Sequence, residues 1–161
     1  MKTETKKIAI IGVGGYIAKR HIEAIKELGH DMTLCCDKVD NVGFLDNYFP
    51  QTKFYKDEVK FFNECRRLNI DYLVVCTPNF LHKDHIIQGL TNGMNVITEK
   101  PICLTTLELD EIQNVEYTSG KSCYSILQLR LHDSIINVKE KFKEVKPKQI
   151  ELTYITSRGL S

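Results

Sequence analysis

Glu99-Lys100-Pro101 follows a short apolar run, Val96 to Thr98. A lysine at the end of a strand, set in a cleft, can exchange a proton with a hydroxyl group. A lone lysine is otherwise a solvated surface group, and Pro101, which fixes the turn, favours the functional reading. Gly12, Gly14 and Gly15 follow another apolar run, Ile8 to Ile11, and open a helix-periodic stretch. Glycines there let the backbone turn tightly and approach a pyrophosphate. The helix N-terminus then supplies free N–H groups and a positive dipole end. The spacing is not G-x-G-x-x-G, because counting from Gly12 puts Ile17 in the third place, where a β-branched residue crowds the helix–strand contact. Gly12, Gly15 and Ala18 give a G-x-x-G-x-x-A register with a small residue in each place, and Gly14 adds loop freedom.

An ordinary strand–helix turn would use the same glycines, so a second signal is needed. Asp37 closes the next apolar run. A carboxylate there can accept both adenosine ribose hydroxyls and repels a 2′-phosphate. The expected cofactor is therefore a dinucleotide, NAD in preference to NADP, with neighbouring Lys38 softening that preference. A satisfied helix cap is the plainer role for Asp37.

Further polar groups cluster after later runs. Cys76-Thr77-Pro78-Asn79 leads into Leu81-His82-Lys83-Asp84-His85. His82 and His85 stand one helical turn apart, but no third ligand accompanies them, so no metal is expected. One ring is expected to line the cofactor cleft and the other to pack or cap. Gln128, Arg130 and His132 alternate, so on an extended strand they share a face. That face reads as an anion- or sugar-binding wall, or equally as a solvent-facing edge.

These residues need elements to hold them. Ile8–Ile11, Met32–Cys36, Tyr72–Cys76, Val96–Thr98 and Ser122–Leu129 read as strands, with a short one at Lys53–Tyr55. Between them, Ala18, Ile22, Ile25 and Leu28 recur at helical spacing and Gly29 ends the helix. Further helices are expected over Val42–Tyr48, Val59–Leu68 and Leu81–Leu90, then from the Thr105/Glu108 capping box through Leu109, Ile112 and Val115. Ile135, Val138, Phe142 and Val145 mark a last helix. Alternating strands and helices imply right-handed βαβ units, hence an α/β, Rossmann-type doubly wound parallel sheet. In Gln149–Thr156 strict alternation suits a half-exposed antiparallel strand. It is expected to open a second, truncated α/β domain, giving domains of 1–123 and 124–161. An edge strand finishing a single sheet is the alternative.

Composition agrees with a folded domain. The chain has 161 residues, 22 Lys+Arg, 21 Asp+Glu and a net charge of +1, which excludes binding to nucleic acid or membranes driven by bulk charge. At 42% hydrophobic and 27% charged it is not a disordered tail. The charged start lacks the apolar stretch of a signal peptide and no run reaches the roughly 20 residues of a membrane span, so a cytoplasmic protein is expected. Six cysteines without a C-x-x-C pair are expected to be reduced and mostly buried.

The glycine turn, Cys76-Thr77-Pro78-Asn79 and Glu99-Lys100-Pro101 together resemble the Gfo/Idh/MocA oxidoreductases. Gly15 to His21, Asp46 to Pro50, Thr77 to His85 and Ile126 to His132 resemble, within that family, the UDP-sugar 3-dehydrogenases of the WlbA type. The resemblance implies a Rossmann domain followed by a substrate and oligomerisation domain on an open, mostly antiparallel sheet. It implies NAD-dependent oxidation of C3 of UDP-N-acetyl-glucosaminuronic acid, on the way to a bacterial surface polysaccharide (lipopolysaccharide), by a homo-oligomer. It places Lys100 on the sugar as the proton-moving group, and Pro78, Asn79 and His82 by the nicotinamide. Gly12, Gly14, Gly15, Tyr16, Ile17, Asp37, Thr77 and Glu99 join the cofactor site, and Gln128, Arg130, His132 and Arg158 the substrate site. Relatives run about twice as long and carry a further catalytic histidine, so this chain is expected to bind cofactor at best. A dehydrogenase of another sugar or polyol, or a non-catalytic dinucleotide-binding module, are the alternatives. Glu99-Lys100-Pro101 argues against the module, which needs the glycine turn and not the lysine.

Overall fold

The computed structural model describes residues 4–144, together with 149, 151 and 153. The chain divides into two compact units, Met1–Ile126 and Leu127–Ser161. In the first, six strands form one sheet: β1 (Lys7–Ile11), β2 (Asp31–Cys36), β3 (Lys53–Tyr55), β4 (Tyr72–Val75), β5 (Asn95–Thr98) and β6 (Cys123–Ser125). Their order is β3-β2-β1-β4-β5-β6 and every pairing is parallel. Four helices cross between strands: α1 (Ala18–Glu27), α2 (Glu58–Arg67), α3 (His82–Thr91) and α4 (Thr106–Ser119). This is the doubly wound sheet that the alternation predicts.

The strands are continuous apolar runs because both faces of the sheet are covered. Ile8 and Ile10 of β1 join Ala18, Ile22 and Ile25 of α1 in one buried cluster. Ala9 and Ile11, pointing the other way, join Phe61 and Cys65 of α2, Ile86 and Leu90 of α3, and Ile112 of α4. Helix starts carry their own chemistry. The Asp57 side chain accepts from Lys60 N at the head of α2. The Thr105/Glu108 box closes reciprocally at the head of α4.

The sequence reading differs from the structure in several places. Leu28 lies just past α1 and is exposed, so the buried stripe ends at Ile25. Over Val42–Tyr48 only a 3-10 turn forms, Gly43–Asn47, pinned by buried Leu45. The strand expected to reach Leu129 stops at Ser125. Its partner β5 ends at Thr98, whose carbonyl takes a last bond from Ile126 N, and no ladder remains beyond it. In the second unit Gln128–Leu131 is a 3-10 turn and α5 spans Asp133–Lys141. Val145, Arg158 and the expected strand positions Ile150, Leu152, Tyr154 and Ile155 lie outside the described residues. Among the described residues no helix is long and apolar enough to cross a membrane.

Helix α3 approaches the sheet through Gly89. A Cβ there would lie 2.6 Å from Val96 Cγ2 and 2.9 Å from Leu73 Cδ2, both on fully buried residues. Gly89→Ala is therefore expected to destabilise the domain by about 1–3 kcal/mol through overpacking. The urea midpoint should fall with an unchanged slope, and an unaltered midpoint would show that α3 can shift freely.

Candidate functional site

The carboxyl ends of the strands carry the site, at the point where the strand order reverses between β1 and β4. Gly12 leaves β1 with φ of +83°, and a Cβ on it would lie 2.6 Å from Cys76 C and 2.7 Å from Thr77 N. Only glycine fits that contact. Gly12 N donates to Cys36 O at 2.8 Å and Gly15 N to Gly12 O at 3.2 Å. The chain then enters α1 at Ile17 with no side-chain cap and no acidic residue in the first turn. The helix start keeps free N–H groups and an uncompensated positive end, which suits a pyrophosphate. Gly14, Gly15 and Tyr16 are exposed at this turn, while Ala18 is wholly buried beneath it.

Asp37 lies beside the turn. Its Oδ2 accepts from Gly14 N at 2.9 Å and its Oδ1 from Val39 N at 3.0 Å. A Cβ on Gly14 would come 3.1 Å from Oδ2. Gly14, read from the sequence as extra loop freedom, therefore has a specific role: it leaves room for the carboxylate and holds it. Each carboxylate oxygen keeps a lone pair for a ribose hydroxyl. The glycine cradle, the uncapped helix and the held acid together fit an adenine dinucleotide.

Three histidines secure the remaining loops. His82, at the head of α3, is buried, with Nδ1 2.6 Å from Pro101 O and Nε2 2.8 Å from Thr77 O. Both partners are carbonyl acceptors, so the ring joins the Thr77-Pro78-Asn79 loop to the Glu99-Lys100-Pro101 loop through two hydrogen bonds as an imidazolium and through one as a neutral ring. His85 is also buried and bonds the Thr77 hydroxyl. Both rings are therefore buried, and each bonds to a residue of the loops at the strand ends. His21, on α1, places Nε2 2.9 Å from Glu99 Oε1. This contact links the first helix to the end of β5, and sequence reasoning missed it: 78 positions separate the two residues.

Glu99 is nearly buried and its N–H donates to Val75 O at 3.1 Å. With its carboxylate on His21 and Pro101 on His82, Lys100 stands between two fixed neighbours. Its side chain is exposed, and among the described residues it forms no ion pair. The peptide bond from Lys100 to Pro101 is cis. Pro78 and Asn79 are exposed at the same strand-end level. Cys76 takes no part as a nucleophile, since burial, then the Glu99 carboxylate, push its thiol up to about 12. Burial likewise holds Cys35, Cys36, Cys65 and Cys123 at about 12, and no described cysteine is in a disulfide.

Gln128, Arg130 and His132 belong to the second unit and do not share a strand face. Gln128 and Arg130 sit on a 3-10 turn, and His132 caps α5 by accepting from Ser134 N at 3.3 Å. A cavity of about 480 Å³ opens at the opposite, amino edge of the sheet, between Arg66, Asp71, Asn92, Asn95 and Lys121. It is remote from the groups described above. Among the described residues no three metal-binding side chains converge.

Known proteins share this fold. The Gfo/Idh/MocA model, an oxidoreductase family with an NAD-binding Rossmann fold, matches residues 6–126. The WlbA (WbpB) dehydrogenase from Thermus thermophilus, crystallised with NAD and UDP-GlcNAcA, superposes with a TM-score of 0.85 at 34% identity. That match covers 89% of this chain and 48% of that one. Glucose-6-phosphate 3-dehydrogenase of Bacillus subtilis (strain 168) is 31% identical over 110 residues, 64% of this chain and 28% of that protein. The 2,7-anhydro-N-acetylneuraminate hydratase of Mediterraneibacter gnavus is 41% identical over 46 residues, 29% of this chain and 12% of that protein. The chain thus spans about half the length of the solved relative, and its matches cover under a third of the curated ones.

Removing the Asp37 carboxylate should loosen the turn and the ribose contact together. Asp37→Ala is expected to weaken NADH binding and to relax the rejection of NADPH, both read from nicotinamide fluorescence. An unchanged preference would move the ribose contact to another residue.

Proposed function

The chain belongs to the Gfo/Idh/MocA oxidoreductase family, with its NAD-binding Rossmann fold, and on that footing we propose that the whole protein is a cytoplasmic, NAD-dependent sugar dehydrogenase. Its proposed reaction is oxidation of the C3 hydroxyl of UDP-linked N-acetyl-glucosaminuronic acid, in the making of a lipopolysaccharide sugar. The position of Lys100 carries this reading: a lysine presented at the carboxyl end of β5 between two immobilised residues, on the edge where the glycine turn would place a dinucleotide. The 34% likeness to a dehydrogenase crystallised with NAD and UDP-GlcNAcA supports the choice of sugar.

The nicotinamide, when bound, supplies the hydride acceptor. Lys100 takes, or relays, the hydroxyl proton as the C3 hydrogen leaves with its electron pair and the C=O bond forms. Asp37 receives the adenosine ribose, and the Gly12–Ile17 turn receives the pyrophosphate. Thr77, Pro78, Asn79 and His82 shape the wall on the β4 side. Gln128, Arg130, His132 and Arg158 are the proposed contacts to the sugar and its charged groups, in a protein proposed to be a homo-oligomer. The match to glucose-6-phosphate 3-dehydrogenase favours a second reading, the same redox chemistry on another sugar.

Full-length protein incubated with NAD and a panel of UDP-sugars is expected to form NADH with the uronic acid. Turnover with a different sugar alone would favour the second reading. Lys100→Ala is expected to lower turnover by roughly 10²-fold or more while leaving NADH affinity nearly intact. Retained turnover would remove Lys100 from the chemistry.

A further inference from the structure

Thr77 follows β4 and its backbone abuts the glycine turn, with Thr77 N 2.7 Å from the place a Gly12 Cβ would occupy. Its hydroxyl does not stand alone. Thr77 Oγ1 lies 2.9 Å from His85 Nδ1, and His85 Nε2 lies 3.4 Å from Glu58 Oε2. His85 is 3% exposed and stacks against the Phe62 ring, while the Glu58 carboxylate opens to solvent at the head of α2. The three residues form one chain from the solvent, through the core, to the strand ends.

The proton inventory fixes its direction. A neutral imidazole has one N–H, and an ionised carboxylate only accepts. Glu58 therefore takes the Nε2 proton, since the other tautomer would set a lone pair against a carboxylate. Nδ1 is left as an acceptor, and the single Thr77 proton goes to it. Only lone pairs of the Thr77 oxygen then remain for a ligand over β4.

We propose that the Glu58–His85 pair is a positioning device that makes the Thr77 hydroxyl an obligatory hydrogen-bond acceptor toward a group of the bound dinucleotide that can only donate, an amide N–H. Protonation of His85 reverses it: Nδ1–H then donates to the Thr77 oxygen and the hydroxyl proton turns out toward the ligand. The inference rests on the dinucleotide reading above and adds a polarity, and a pH dependence, to that site. Burial pushes His85 below the ordinary histidine value, so the reversal takes a lower pH than an ordinary histidine would need. Glu58 on α2 and Asp84 on α3 oppose that shift, and His82 on α3 adds to it.

Nitrogen-15 NMR of the histidines, with His85 assigned from His85→Gln, is expected to show the Nε2–H tautomer at neutral pH. The Nδ1–H tautomer overturns the proposal. NADH titrations between about pH 7.5 and about pH 5 supply the second readout. Wild-type affinity should fall roughly 2- to 10-fold as His85 protonates, the loss of one neutral hydrogen bond. Glu58→Gln should move that step to lower pH, because the carboxylate that favours the cation is gone. Thr77→Val should bind as weakly at neutral pH as wild type does in acid, with no step. A step that persists in Thr77→Val, or that ignores Glu58→Gln, overturns the proposal. If no NADH binds at any pH, the dinucleotide reading fails by itself, and the tautomer alone upholds or overturns the hydroxyl polarity.

Discussion

The contact between Gly12 and the Cys76–Thr77 peptide is the constraint on which the rest of the site depends. It brings the exit of β1 against the exit of β4, with no room for a side-chain atom between them. β1 and β4 are paired neighbours from which the chain runs on to opposite halves of the sheet, and their two exits thereby share one corner. Because the turn is this tight, α1 starts next to the corner, with no side chain capping its first turn. A wider turn would move the helix start off the crevice and leave Asp37 without its Gly14 donor.

The second organising feature is the use of imidazole rings as ties. His21, His82 and His85 each join residues from different elements close to the strand ends, and each bond lies in partly or fully buried surroundings. Hydrogen bonds in such low-dielectric places resist competition from water. Two loops with little apolar content of their own are held in this way. Their exposed residues, Pro78, Asn79 and Lys100, can then be both accessible and ordered. Among the described residues no buried side-chain nitrogen or oxygen lacks a partner.

Much of this was legible in the sequence, for reasons that can be stated residue by residue. Strands buried on both faces read as unbroken runs such as Ile8–Ile11, and the Thr105/Glu108 box announces α4 because capping is local chemistry. The glycine turn and Asp37 were legible because a doubly wound sheet puts those two positions together. What stayed hidden depends on distance in the chain. Nothing local pairs His21 with Glu99, or His85 with Glu58 and Thr77. Nor could the alternation of Gln128, Arg130 and His132 reveal that β5 ends at Thr98 and leaves β6 no ladder to continue. Alternation describes a strand only where a neighbouring strand persists.

Asp37 sits in the turn with one hydrogen bond already made by each oxygen. The acid that would select the cofactor is therefore also a strut of the loop that would bind it. Redesign toward a phosphorylated dinucleotide cannot treat that residue as an independent dial. A basic replacement would repel the Gly14 amide that the carboxylate now steadies, so discrimination and loop order would change together. Separating them would take a compensating acceptor elsewhere in the loop, introduced before the charge is reversed.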